Sequence, residues 1–285
     1  MTIGGLLCEG GSALRAAGVE GARQEARLLL AHVLACSQEA LLRDPGAPVP
    51  PGPATAFRAL LARRVAREPL ALLTGTACFW TLELEVSGAT LLPRPDSEAL
   101  IRLAGALAPQ AKRVLDLGTG TGCLLLAALA ERPGAWGLGL DLQPAAAALA
   151  RRNAMRNGLG ARAAFIAGDW DAALAARFDL ILSNPPYIRS AEVAGLMPEV
   201  AHHEPMSALD GGIDGLDAYR RILPALRRLL APGGIAVLEI GWDQRHDLEA
   251  LAATHALVIR GEERDFGGNP RALALAPIGG GGGAS

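Results

Sequence analysis

The sequence predicts an α/β fold: a mostly parallel sheet covered by helices on both faces, preceded by a small all-helical domain and a β-hairpin linker. Three observations predict it. Short apolar runs alternate with longer helical patterns between residues 113 and 240, the signature of strand–helix units. A glycine-rich loop, Gly118-Thr119-Gly120-Thr121-Gly122, lies between the first run and the first helix. Residues 12–75 show helical periodicity and no strand pattern.

The composition sets outer limits. The chain has 285 residues, 51% of them hydrophobic and 20% charged, which is globular and long enough for a proper core. Its formal net charge of −2 argues against a partner held mainly through nucleic-acid phosphates. The four cysteines, Cys8, Cys36, Cys78 and Cys123, form no C-x-x-C pair and are expected as buried free thiols, without a metal site or disulfide framework. The first residues lack a signal-peptide pattern, and no apolar stretch approaches the roughly 20 residues a bilayer span needs. A cytoplasmic protein without membrane contact is expected.

In the helical domain, residues 1–75, Ser12 can cap a helix from Ala13, and Ala26, Leu29, Leu30, Val33 and Leu34 share one face. Asp44–Pro53 reads as a loop and Ala54–Arg67 as an amphipathic helix whose arginines form either a solvated face or a docking surface. Residues 76–92 read as the hairpin linker. Phe79, Trp80, Leu82, Leu84 and Val86 mark a half-buried strand, and the turn is expected at Ser87-Gly88-Ala89. Pro93 and Pro95 exclude helix until Asp96 or Ser97. Arg94 can reach towards a site or pair with Glu98 or a loop carbonyl.

The sheet domain, residues 93–278, supplies strands at Val114–Leu117, Trp136–Leu140, Ala163–Ile166, Phe178–Leu182 and Ile235–Ile240. Leu257–Ile259 and Leu273–Leu275 read as a closing antiparallel pair, and residues 279–285 as a flexible glycine-rich tail.

Ligands of such sheets bind outside the carboxyl ends of the strands. Four groups fall there: the glycine loop, Asp141, Asp169-Trp170 and Asn184-Pro185-Pro186-Tyr187. The loop reads G-x-G-x-G rather than G-x-G-x-x-G, which counts against a dinucleotide pyrophosphate. Asp116 inside the first strand would repel a diphosphate and points the same way. Asp141 lies about 20 residues on, where an acid holds ribose hydroxyls. Trp170 offers a face to a purine. A nucleoside with a cationic amino-acid tail, S-adenosylmethionine, fits this set. Each acid also has a structural reading, as a helix cap or turn residue.

Two prolines stiffen the last loop and remove its backbone donors. It therefore presents carbonyl oxygens, with the Asn184 amide and the Tyr187 ring beside them. Such a site can accept both hydrogens of a planar –NH2 group and hold its plane.

The chain resembles the protein-(glutamine-N5) methyltransferase family, which methylates the GGQ glutamine of peptide-chain release factors. The resemblance is carried by Leu92-Pro93-Arg94-Pro95-Asp96-Ser97-Glu98, Val114–Gly122, Ser183–Ile188, Glu204-Pro205, Gly211–Leu216, Leu238–Gly241 with Gln244, and Asp265, Gly267 and Arg271. Ser97 stands where the family often has Thr, and His203 where an aromatic is common. The resemblance implies a Rossmann-like class I S-adenosylmethionine-dependent methyltransferase sheet, with S-adenosylhomocysteine as the spent product. It implies that Gly118, Thr119, Gly120, Thr121 and Gly122 line the methionine part of the cofactor, Asp141 the ribose and Trp170 the adenine. Asn184 would touch both cofactor and substrate, and Pro185, Pro186 and Tyr187 would complete a glutamine pocket. Release factors are the implied partners, docking on the helical domain. The sequence assigns no role to His202, His203 or Glu204.

An amide nitrogen is a poor nucleophile, and no strong base stands near the loop. A base-free route is expected: the Asn184 side-chain oxygen and the Pro185 carbonyl accept the two N–H bonds and aim the nitrogen at the methyl group. Two rivals share these motifs. One is a nucleic-acid amino-group (adenine-N6 or guanine-N2) methyltransferase; the other is a non-catalytic binding module.

Overall fold

The computed structural model describes residues 1–172 and 174–279. The tail expected at 279–285 falls, beyond Gly279, outside the described residues. Two compact units are present: Met1–Thr76 with Met197–His203, and Ala77–Leu196 with Glu204–Ser285.

The first unit is helical: α1 (Ile3–Ala16), α2 (Ala22–Leu34), α3 (Gln38–Arg43), α4 (Pro51–Val65) and α5 (Leu70–Thr74). Its core gathers Leu6, Leu14, Leu29, Leu30, Phe57 and Leu61. The first helix begins at Ile3, ten residues before the expected Ala13. Thr2 is the cap, its hydroxyl accepting the Gly5 N–H at 3.2 Å. The Gly-Gly pair inside α1 does not end it, because Gly10 is where the helices meet: an added Cβ would lie 2.8 Å from Phe57 Cζ and 3.0 Å from Ala26 Cβ. Likewise α4 starts at Pro51 rather than Ala54, since proline at the first helical position loses no intrahelical bond.

Arg64, buried on α4, donates to Glu25 at 2.6 Å and to Glu199 at 3.0 Å. Arg67 donates to Glu199 at 2.9 Å. The expected solvated arginine face is thus partly an internal ion network, reached by a segment distant in sequence.

A hairpin follows, β1 (Thr76–Phe79) and β2 (Leu82–Glu85). Its turn is at Trp80-Thr81, not at Ser87–Ala89, with Trp80 at φ 55°. The apolar alternation ran through the turn and concealed it. The β2 end is fixed on the sheet unit: Asn153 accepts the Glu85 N–H at 2.7 Å and donates to the Glu85 carbonyl at 3.0 Å.

The second unit continues with α6 (Glu98–Leu107), β3 (Arg113–Leu117), α7 (Cys123–Ala130), β4 (Trp136–Asp141), α8 (Pro144–Arg156), β5 (Ala163–Ala167) and β6 (Phe178–Ser183). Short α9 (Ser190–Val193) and α10 (Pro198–Ala201) follow, the latter in the first unit. Then come α11 (Asp217–Leu229), β7 (Leu230–Glu239), α12 (Arg245–Thr254), β8 (Leu257–Arg264) and β9 (Pro270–Pro277).

The seven strands run in the order β5-β4-β3-β6-β7-β9-β8. β3 to β7 are parallel, and β9 is antiparallel to both β7 and β8. The chain winds outward from β3 in one direction and resumes at β6 in the other, so the switch point lies between these neighbours. Both sheet faces are covered, which is why the strands read as unbroken apolar runs. Val114, Leu180 and Leu182 pack with α6 and α7 residues, while Leu115, Leu117 and Ile181 pack with α11.

All four cysteines are free; Cys8 and Cys78 are exposed, contrary to the expected burial. Among the described residues no helix is long and apolar enough to cross a membrane.

Candidate active site

A cavity opens at the carboxyl ends of β3, β4 and β6, where the strand order reverses. Gly118, Thr119, Gly120, Thr121, Asp141, Trp170, Asn184, Pro185 and Pro186 all line it, as do Asp169, Arg94 and Ser97. Residues from five separate stretches therefore meet in one place.

The glycine loop turns at three left-handed positions, Gly118 (φ 73°), Gly120 (φ 54°) and Gly122 (φ 83°), which only glycine adopts freely. The Leu140 carbonyl accepts both the Gly118 and Thr119 N–H groups at 2.9 Å. A side chain on Gly118 would project into open space, so the cradle is left for a ligand. Gly122 does not line the cavity. It packs on α8, where a Cβ would lie 3.1 Å from Ala150 Cβ.

Asp141 is tied to the loop on one side and to its own turn on the other. Its Oδ2 accepts the Gly120 N–H at 2.8 Å and its Oδ1 the Gln143 N–H at 2.9 Å. Further lone pairs remain for ligand hydroxyls. Trp170, at φ 45°, lines the cavity from beyond β5. Asp169 is exposed and accepts from Arg221 at 2.8 Å.

Asp116 corrects an inference made above. It lies wholly inside, with Thr119 Oγ1 donating to it at 2.6 Å, and its Oδ1 has no partner. Burial pushes its pKa up to about 7, against the Thr119 hydrogen bond. It does not line the cavity, and its raised pKa leaves it partly protonated near neutrality, so it is a weaker repelling anion than its place in the strand suggests.

Asn184 leaves β6 half-buried. Beneath it, Ser183 Oγ donates to the Leu117 carbonyl at 2.7 Å, locking the two strands that flank the switch point. Its Nδ2 donates to Ser97 Oγ at 3.2 Å. The far end of the loop is held by Gln244, which donates to the Tyr187 carbonyl at 2.9 Å and the Gly215 carbonyl at 3.2 Å.

Tyr187 departs from its expected place. It does not line the cavity; its ring packs in the core beside α11 and β7. Its hydroxyl donates to Glu239 Oε1 at 3.1 Å and accepts from Arg271 at 3.4 Å. Glu239 and Arg271 belong to stretches that carried the resemblance, yet local pattern gave neither a role. Their meeting depends on strand register.

Glu204 also acquires a place. Its buried carboxylate accepts the Leu92 N–H at 3.3 Å and pairs with Arg94. Burial raises its pKa, and the Arg94 charge opposes that rise. The pair joins the Leu92–Arg94 wall of the cavity to the wall formed by Pro205, Ser207 and Ala208.

Comparison with known proteins agrees with this geometry. Residues 6–75 match the family description "PrmC N-terminal domain", and residues 96–203 match "Methyltransferase small domain". The release factor glutamine methyltransferase of Rhodospirillum rubrum is 47% identical over 274 residues, covering 96% of this chain and 84% of its own. That of Bradyrhizobium diazoefficiens is 43% identical over 267 residues, covering 92% and 90%. Among solved structures, a methyltransferase from Pyrococcus furiosus superposes with a TM-score of 0.52 at 18% identity, covering 76% of this chain and 96% of its own. The hMettl16 catalytic domain gives 0.55 at 15% identity, covering 76% and 81%. Both share the methyltransferase sheet fold.

Proposed function

Because the chain belongs to the release factor glutamine methyltransferase family, we propose that it transfers a methyl group from S-adenosylmethionine to the side-chain amide nitrogen (N5) of the GGQ glutamine in peptide-chain release factors. The observation that carries this reading is that the glycine loop and Asn184-Pro185 line one cavity.

The residues fit the donor. The open space over Gly118 suits an amino-acid tail. Asp141 has lone pairs free for ribose hydroxyls, and Trp170 has a face for adenine. When bound, S-adenosylmethionine supplies an electrophilic sulfonium methyl. Asn184 Oδ1 and the Pro185 carbonyl accept the two substrate N–H bonds, and Pro186 narrows the pocket beside them. Holding both hydrogens would favour pyramidalisation of the amide nitrogen as it takes the methyl group that the bound donor would supply, the donor becoming a neutral thioether. The extra proton of the methylated amide would pass to water. Orientation of this kind contributes up to about 7–11 kcal/mol in favourable cases.

The helical unit is the proposed docking surface, because a single inserted loop offers little area for discrimination. A cytoplasmic location follows from a substrate that acts in translation, and the net charge of −2 favours a protein acceptor over nucleic acid. The test is label transfer from methyl-labelled S-adenosylmethionine to a bacterial release factor, with RNA and DNA in parallel. Label in the release factor supports the reading. Label in nucleic acid alone, or donor binding without transfer, overturns it.

A further inference from the structure

We propose that Ser97 and Glu239 are positioning residues that fix the flip of the Asn184 side-chain amide, so that Oδ1 faces the substrate and Nδ2 faces away. The inference rests on the reading above, in which Asn184 Oδ1 accepts a substrate N–H.

The two ends of an asparagine amide have nearly the same shape and opposite hydrogen-bonding character. Flipped, Asn184 would aim donors at the donors of the incoming glutamine amide and disable the site. Ser97 Oγ, 3.2 Å from Nδ2, does not by itself choose between the two orientations, since a hydroxyl both donates and accepts. The choice depends on where the hydroxyl proton goes.

Glu239 supplies the destination. Its carboxyl is buried, Oε1 accepts from Tyr187, and Oε2 makes no formed hydrogen bond. The Ser97 hydroxyl acts on this carboxyl and favours its ionised form. An orphaned buried acceptor beside a hydroxyl with an uncommitted proton is an incomplete pair. Once the proton is committed to Glu239, the oxygen can only accept from Asn184, and only Nδ2 can supply that bond. The sheet builds the arrangement: Ser183 is in register with Leu238, so Asn184 and Glu239 leave adjacent parallel strands at one level. Ser97, bonded to Asn184, is buried at the entry to α6.

The groups facing Glu239 explain its poise. Burial disfavours the charge and pushes the pKa up to about 7; Ser97, Arg271 and Tyr187 pull it down, and Asp96 pushes it up. Arg271 is itself held by Asp265 at 2.9 Å and by the Ile240 carbonyl at 3.2 Å. Tyr219 donates to the Glu239 backbone carbonyl at 2.7 Å. Protonation of Glu239 would let it donate to Ser97, and the constraint on Asn184 would be lost.

The test compares wild type, Ser97→Ala, Ser97→Thr and Glu239→Gln. In release-factor methylation, Ser97→Ala is expected to lower kcat about tenfold or more with little change in S-adenosylmethionine affinity. Ser97→Thr, which keeps the hydroxyl, recovers most of that loss. Wild-type kcat falls as pH drops through about 7, and Glu239→Gln removes that limb. Full activity in Ser97→Ala, or a Thr variant as impaired as Ala, overturns the inference while leaving the methyl transfer standing. A second readout needs no substrate: the side-chain NH2 resonances of Asn184 should titrate near neutrality in wild type and stay flat in Glu239→Gln. Resonances indifferent to both pH and the substitution also overturn it, whether or not the protein methylates a release factor.

Discussion

Asp141, at the end of β4, accepts the backbone N–H of Gly120 at 2.8 Å, so the acid of one strand end holds the glycine loop that follows the neighbouring strand β3. It can therefore shape the loop and bind ligand hydroxyls with the same carboxylate. Asp141→Ala is expected to weaken S-adenosylmethionine binding by roughly 1.5–3 kcal/mol, the usual worth of hydrogen bonds to a charged group. Asp141→Asn, which keeps one acceptor for Gly120, should lose less. Isothermal titration with S-adenosylmethionine measures both; equal affinity in wild type and Asp141→Ala would remove Asp141 from the ligand site.

Asn184→Ala removes one of two acceptors for the substrate amide. Turnover should fall by roughly a hundred- to a thousandfold, the range seen when one preorganised hydrogen-bonding group is deleted. The melting temperature should change little, because the side chain is half-buried and makes one bond, to Ser97. Steady-state kinetics beside a thermal melt separates these effects, and near wild-type turnover would refute the base-free mechanism.

Asp116 gives a prediction about stability and pH. Its folded pKa, raised by burial to about 7, lies above the ordinary value of 3.8. Below the lower value both folded and unfolded chains hold the proton, and no penalty exists. As pH rises towards 7, the unfolded chain releases its proton and the folded chain retains it, so stability falls. Asp116→Asn escapes this and can still accept from Thr119. It should match wild type near pH 4 and exceed it at pH 8, by up to roughly 4 kcal/mol. Denaturant midpoints at the two pH values provide the check. A variant less stable than wild type at pH 8 would contradict the assignment.

Arg64 holds two acids within the helical unit, Glu25 and Glu199. Its removal leaves both partly buried and Glu199 dependent on Arg67 alone. Arg64→Ala should cost about 3–5 kcal/mol, as expected for breaking one side of a buried ion pair. Amide exchange should quicken first in Met197–His203, the segment that Glu199 anchors. Unchanged exchange in that segment would show that packing, not charge, holds it.

The sheet was legible because its strands are buried on both faces and end in turn residues. The loops Gly118–Gly122 and Asn184–Tyr187 were legible because glycine and proline dictate backbone shape locally. Other features were hidden for physical reasons. Trp80 turns the chain without interrupting the apolar alternation, so the hairpin was misplaced. Ser12 looked like a cap because nothing local says that Gly10 lies against Phe57. Tyr187 looked like a pocket wall, and only the pairing of β6 with β7 shows that its hydroxyl meets Glu239. The partnership of Arg94 with Glu204 spans 110 positions and leaves no mark in either neighbourhood.

The central claim is methyl transfer to one glutamine nitrogen. Its most direct test is fragment mass spectrometry of a purified bacterial release factor after incubation with this protein and S-adenosylmethionine. The account predicts a gain of one methyl group on the GGQ glutamine, absent with Asn184→Ala. A methyl group on another residue, or none at all while nucleic acid in a parallel reaction becomes methylated, would contradict it.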